Sequence, residues 1–453
     1  MTQPRTHARN GVVAALCAVA LMVPLTASNA GAAPALPRQD DAPTQDDLRL
    51  NELQFLGSHN SYHLPPLKGL FDFAKTIAPP ELKPEELLYE HGPLPQQFSG
   101  EGVRQIELDL VADPEGGRYA DPVANIVTGI APYDEEYEAW DPPELQEPGT
   151  KVLHIPDFDM RTTCVLLTQC LTQVRDWSTA HPGHFPIAVL LELKDDMFEG
   201  DLPVDLTEPL PFTAARLDDL DAEIRTVFPE DAMFTPDDLR GNAATLDEVV
   251  TGPGWPAMSA LRGQTMFMLD NENVIADRYR DGHPALEGRV MFTSSAPGEA
   301  DAAFVKLNDP MTDRATIEQA VEAGYVVRTR ADTPISQAQS GDTTMQDAAF
   351  ASGAQWVSTD YPVPGLTKLL GVYGLPFADY VSPLPPTSRG AALVAERAAP
   401  ADAPLRVARC NPVSAPDYCF DLALTEPEPP STIEAPRSGD DEAAKPLPPK
   451  FTG

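Results

Sequence analysis

The sequence predicts an α/β fold, a parallel (β/α)8 barrel of TIM type, and three observations lead there. Eight short apolar runs recur between Gln54 and Thr359. Most of them are too apolar to be buried on one face only, as strands of a parallel sheet covered on both sides must be. Helix-like stretches lie between several of them, which is the strand-helix alternation of a barrel. An open doubly wound sheet is the other architecture that this alternation allows. No Gly-Ser linker divides the stretch, so residues 50–370 read as one catalytic domain.

Along the chain, Arg5 and Arg9 precede "GVVAALCAVALMVPL" and the small-residue sites Ser28-Asn29-Ala30 and Ala30-Gly31-Ala32. This is the pattern of a secretory signal peptide over residues 1–32, so the mature chain is expected outside the cell. Cys17 lies inside the apolar region rather than at its end, which argues against a lipid anchor, and no later segment approaches the roughly 20 apolar residues of a transmembrane helix. Residues 33–49 form a polar, proline-bearing lead-in, expected to be flexible.

The candidate strands are Gln54–His59, Arg104–Leu110, Val152–Ile155, Ile187–Leu193, Thr265–Asp270, Arg289–Thr293, Tyr325–Arg330 and Trp356–Thr359. Candidate helices include "LTQVRDWSTA", "TAARLDDLDAEIRTVF", "DRATIEQAVEAG" and "TTMQDAAFASG", the last two stopping at Gly324 and Gly353. The long acidic insertion Val111–Thr150 falls where a βα loop overhangs the catalytic face, and is read as a lid or rim. Residues 371–423 form a C-terminal extension, and 424–453 a proline-rich acidic tail expected to be disordered.

Of the 5 cysteines, Cys17 belongs to the signal peptide. The others fall into two sequence-local pairs, so an exported chain is expected to bridge Cys164 to Cys170 and Cys410 to Cys419. The spacing, with no histidine pair nearby, argues against zinc.

With 32 basic and 69 acidic residues the formal charge is −37, which excludes nucleic acid as a partner and suits solubility. The same field repels an anionic membrane, so a lipid substrate must be reached through local contacts or under screening by salt or divalent cations.

Chemistry collects at the C-terminal ends of the strands: His59 and Asn60, Glu107 and Asp109 in "RQIELDL", His154 in "KVLHIPDFD", and Glu192 with Lys194 in "VLLELKDD". Side chains alternate along a strand, so Glu107 and Asp109 share a face, as do Glu192 and Lys194, and in apolar strands that face is the barrel mouth. Three carboxylates converging there need a cation, and with the Asn60 carbonyl they form an all-oxygen set suited to calcium or magnesium. Two histidines beside a hard cation suit a phosphodiester, where the cation neutralises phosphoryl charge and an imidazole protonates the leaving oxygen. Ser58 lacks the Gly-x-Ser-x-Gly elbow, which makes acyl transfer the weaker fit. Lys194 and Arg330 are the candidate phosphate-binding cations, and Arg328 shares a face with Arg330.

The ordered series "GSHNSYH", "GVRQIELD", "KVLHIPDFD" and "PIAVLLELK" resembles the calcium-dependent phosphoinositide-specific phospholipase C family, in particular its secreted bacterial members. The likeness continues through "GWPAMSALRGQTMFMLDN", "LEGRVMFTSS", "GYVVRTRADT" and "GAQWVSTDYP", and covers about Asn51 to Pro364. It implies a TIM-type barrel, with His59 and His154 as catalytic histidines and Asn60, Glu107, Asp109 and Glu192 as Ca2+ ligands. It also implies cleavage of the glycerol-phosphate bond of a phosphoinositide at a membrane or micelle surface, the neighbouring inositol hydroxyl acting as internal nucleophile. His154 is the expected acid toward the diacylglycerol oxygen, His59 the expected donor to the transition state, and a metal-bound carboxylate, Glu107 or Asp109, the expected acceptor of the hydroxyl proton.

Two alternatives stand beside this reading. A glycerophosphodiester phosphodiesterase is also a metal barrel with paired histidines, but that family follows its first histidine with arginine and glycine, where Asn60 and Ser61 stand here. A non-catalytic barrel binding inositol phosphate or calcium would not need the intact set of two histidines and four oxygen ligands.

Overall fold

The structure, a computed structural model, describes residues 42–77, 83–127, 140–196, 205–388 and 405–428, all but the first of them in one compact unit that begins at Pro43. The expected signal peptide and the start of the lead-in lie outside the described residues, as do the middle of the 111–150 insertion and the tail from residue 429.

Ten strands are present among the described residues: β1 (Leu53–Ser58), β2 (Val103–Val111), β3 (Lys151–Val152), β4 (Ile187–Leu193), β5 (Thr265–Leu269), β6 (Met291–Thr293), β7 (Phe304–Lys306), β8 (Val326–Arg330), β9 (Trp356–Thr359) and β10 (Arg409–Cys410). Eight of them follow the order β6-β5-β4-β2-β1-β9-β8-β7. Every neighbouring pair on that path is parallel, and a parallel bridge from Ser294 to Phe304 brings β6 to β7. This is the (β/α)8 barrel, and it explains why strands such as β1, β2 and β5 are buried along their whole length: side chains fill the inside and helices cover the outside.

The eight barrel strands are not quite the eight expected. Val152–Ile155 is not a barrel strand, because β2 pairs directly with β4, and only Lys151–Val152 forms a ladder, antiparallel to the last residues of β2. His154 therefore reaches the mouth from a hairpin folded back over β2. The missing strand is β7, three residues inside "DAAFVKLND", too short an apolar run to separate from its surroundings. The expected helices form at Leu167–Ala180, Ala214–Val227, Arg314–Ala323 and Thr344–Ala351.

Both ends of the barrel domain pack more than expected. Leu48, in the lead-in, is fully buried, and its carbonyl accepts from the Met258 N–H. β10 pairs antiparallel with the start of β1, and the chain beyond Leu424 is described as far as Glu428. There the Glu426 carboxylate accepts from buried Arg104 and from the Phe185 N–H at 2.7 Å. Disulfides join Cys164 to Cys170 and Cys410 to Cys419, as the sequence predicts. Among the described residues no helix is long and apolar enough to cross a membrane.

Gly324 ends the helix Arg314–Ala323 in the left-handed region at φ 106°, and a Cβ there would lie 2.2 Å from the Val250 carbonyl oxygen. Gly324→Ala is expected to destabilise the fold by at least the roughly 1–2 kcal/mol of a left-handed non-glycine residue, read as a lowered urea or thermal midpoint. An unchanged midpoint would contradict this packing.

Candidate active site

The strands β2 and β4 lie in register with Asp109 opposite Glu192, and Glu107 sits two residues back on the same inward face. Carboxylate oxygens of Glu107, Asp109 and Glu192 lie within 4.8 Å of one another at the C-terminal mouth. Burial pushes Glu107 and Asp109 above the ordinary carboxylate range, while two protein cations pull the other way. Arg328 Nη2 donates to Glu107 Oε2 at 2.5 Å from beneath. Lys194 Nζ lies 2.8 Å from Glu192 and 3.2 Å from Asp109.

Asn60 follows β1 at φ 43°, a left-handed conformation that asparagine tolerates better than most residues. The next residue ties this turn to β2: the Ser61 N–H donates to the Glu107 carbonyl, and the Glu107 N–H to Ser61 Oγ, both at 2.9 Å. Asn60 Nδ2 donates to Tyr89 Oη at 2.8 Å, and its Oδ1 is buried without a hydrogen-bond partner. Neither Asp109 oxygen has a hydrogen-bond partner, and the Lys194 ammonium lies 3.2 Å from Oδ2 as an ion pair. Buried acceptors left unmet are costly, about 1–3 kcal/mol each. Orphaned oxygens beside two further carboxylates fit a hard divalent cation bound by oxygen alone.

Two imidazoles flank this cluster, each oriented by an aspartate. His59 Nδ1 donates to Asp360 Oδ1 at 2.9 Å, and its Nε2 accepts from Arg330 Nη1 at 3.2 Å, with Glu107 Oε1 4.0 Å away. Burial and the Arg330 guanidinium push the His59 pKa down to about 3, outweighing Asp360. His154 Nδ1 donates to Asp159 Oδ2 at 2.6 Å, which leaves Nε2 for a substrate. The same oxygen accepts from His63 Nε2 at 2.7 Å, while His63 Nδ1 donates to the Tyr89 carbonyl at 2.9 Å. Burial works to raise Asp159, but the two imidazoles outweigh it and hold the carboxyl at about 2. His154 and Lys194 also line a cavity of about 230 Å³ with Asp157, Asp196 and Thr207.

The residues singled out in the sequence thus come to one mouth. Lys194 is engaged by Asp109 and Glu192 and neutralises them, while Arg330 stands against His59 and Asp360 Oδ2, the latter at 3.1 Å. Arg328 and Arg330 both point inward. Sequence reasoning missed Asp360, which directly follows β9 in "WVSTDYP" and obeys the same strand-end rule that found the others. It also missed Asp159 and His63, both inside motifs already quoted, and the Asp270–Lys306 ion pair at 2.7 Å across the mouth. Tyr89, in an irregular segment, has no sequence signal.

A family profile described as "Phosphoinositide phospholipase C, Ca2+-dependent" matches residues 48–380. A search of curated proteins finds no match. Among solved structures, the apo calcium-dependent phosphoinositol-specific phospholipase C from the Gram-negative bacterium Pseudomonas sp is 17% identical with a TM-score of 0.44, over 70% of this chain and 92% of that one. The Ca2+-dependent phosphatidylinositol-specific phospholipase C from Streptomyces antibioticus is 17% identical with a TM-score of 0.41, over 69% and 95%. A glycerophosphoryl diester phosphodiesterase from Parabacteroides distasonis is 12% identical with a TM-score of 0.26, over 74% and 92%.

Because burial raises Glu107 and Asp109, protons compete with any cation for these oxygens. Half-saturating calcium is expected to rise as the pH falls from 8 to 6, by roughly tenfold per unit for each proton displaced. Calorimetric titration at several pH values checks this. A constant value across the range would show that these carboxyls do not hold the metal.

Proposed function

We propose, from the premise that the chain belongs to the Ca2+-dependent phosphoinositide phospholipase C family, that it is an exported phosphodiesterase acting on phosphatidylinositol-type lipids. The products are diacylglycerol and an inositol phosphate, with Ca2+ held by Asn60, Glu107, Asp109 and Glu192. The observation that carries this reading is the convergence of two aspartate-oriented histidines and an all-oxygen ligand set at one barrel mouth. Bound calcium would neutralise charge on the phosphoryl oxygens and ease ionisation of the attacking hydroxyl.

The chain's own residues supply the proton transfers. A neighbouring hydroxyl of the inositol ring needs no capture from solution, which favours it as nucleophile. Asp360 accepts from His59 Nδ1 and fixes the ring, which turns Nε2 toward Arg330 and the Glu107 carboxylate. The Glu107 or Asp109 carboxylate, made more basic by burial, takes the hydroxyl proton as the oxygen attacks phosphorus, and Arg330, held beside His59, donates to the phosphoryl group. The phosphorus-glycerol oxygen bond breaks, and His154 passes a proton from Nε2 to the leaving oxygen. Asp159 accepts from Nδ1 and holds the ring with Nε2 free for that transfer. A cyclic inositol phosphate is the first product of this route, and its opening by water gives the linear one.

Product analysis on phosphatidylinositol, in calcium and in chelator, tests the function. Full turnover in excess chelator, or release of glycerol phosphate from deacylated lipid in place of inositol phosphate, would overturn it. His59→Ala and His154→Ala are each expected to lower turnover by about 10²-fold or more. A substrate with a much better leaving group restores much of the rate to His154→Ala but little to His59→Ala, since only the former has lost the proton donor to that group. Equal rescue of both variants would show the division of roles to be wrong.

A further inference from the structure

We propose that Tyr89 is a positioning residue that decides which end of the Asn60 amide faces the cation. This rests on the calcium reading above and adds a residue to it that belongs to neither the ligand set nor the acid-base pair. Tyr89 is buried and held on several sides. Its ring stacks on His63 with centroids 4.1 Å apart, its carbonyl accepts from His63 Nδ1 at 2.9 Å, and the His91 N–H donates to the His63 carbonyl at 3.1 Å. The phenol oxygen is therefore a fixed point, and Asn60 Nδ2 donates to it at 2.8 Å.

An amide has a donor end and an acceptor end of nearly equal size, and only the acceptor end binds a metal. The surroundings of Asn60 favour the wrong end. The carboxylates of Glu107, Asp109 and Glu192 cluster at this mouth, and Asp360 stands against His59 beside Asn60. Negative neighbours draw an NH2 group toward them and turn the carbonyl oxygen away. In the arrangement observed the NH2 end is instead satisfied by Tyr89, and Oδ1 is buried with no donor, which is the state of an oxygen awaiting a cation. Without the hydroxyl, that orientation would leave a buried NH2 group with no acceptor, so the amide would turn and calcium would lose a ligand.

Tyr89→Phe removes the oxygen and keeps the ring that stacks on His63. Calcium binding, followed by calorimetry without substrate, is expected to weaken by about tenfold. The discriminating measurement is the same substitution in an Asn60→Ala background, where there is no amide to orient and the added loss should be less than twofold. An equal loss in both backgrounds would make Tyr89 a packing residue only, and no loss in the single variant would overturn the proposal outright. If the unaltered protein bound no calcium, the metal reading itself would fail, and this one with it.

Discussion

Burying acidic side chains at the ends of β2 and β4 is the constraint on which the rest of the mouth depends. Carboxylates taken out of water next to one another either take up protons or gather positive charge. The protein meets half of that demand internally. Arg328 rises through the barrel to Glu107, braced on its way by Ser358, and Lys194 bridges Asp109 and Glu192. Neither cation satisfies the oxygens of Asp109 as hydrogen bonds would, and none reaches Asn60 Oδ1. The cluster is preassembled but incomplete, an arrangement that suits a metal ion.

The two histidines are mounted on supports of different kinds. His59 sits at the tip of β1, and Asp360 at the tip of the neighbouring strand β9, whose pairing with β1 holds them together. His154 hangs on the hairpin that returns over β2, and its orientation depends on Asp159 five residues later and on His63 beyond it. His59 thus belongs to the barrel, while His154 belongs to a loop that also lines the neighbouring cavity. A donor to the leaving group needs to stand on the side where that group departs, and a hairpin above the mouth can reach a place that no strand end can.

Much of this was readable from residue order because a parallel barrel delivers every strand end to the same face. Polar residues that end apolar runs, such as His59, Asn60, Glu107, Asp109 and Glu192, announce themselves under that rule, and Asp360 would have done so had it been applied to the last strand. What was hidden follows from length and locality. A strand of three residues such as β7 leaves too short a run to show a period, and the hairpin of His154 imitates a strand because its apolar residues pack into a second small cluster with Tyr119 and Leu145. The partners of each histidine are hidden for another reason: a contact such as Arg330 with His59 joins residues on different strands, and no local pattern encodes it.

The electrostatics of the mouth connect the strongly acidic chain to an anionic substrate. Glu107, Asp109, Glu192, Asp270, Asp159 and Asp360 surround it, against Lys194, Lys306, Arg328 and Arg330, and each of these cations is already paired with one of the carboxylates. With carboxylates in excess and these four cations paired, a phosphodiester approaching the described part of the mouth meets a net repulsion. A divalent ion held as proposed by Asn60, Glu107, Asp109 and Glu192 would offset that charge and relieve Lys194 of part of its attraction to Asp109 and Glu192. On this account calcium dependence is a consequence of the charge arrangement as much as of the chemistry. The net acidity of the mouth thereby makes a cation part of how an anionic substrate would be held.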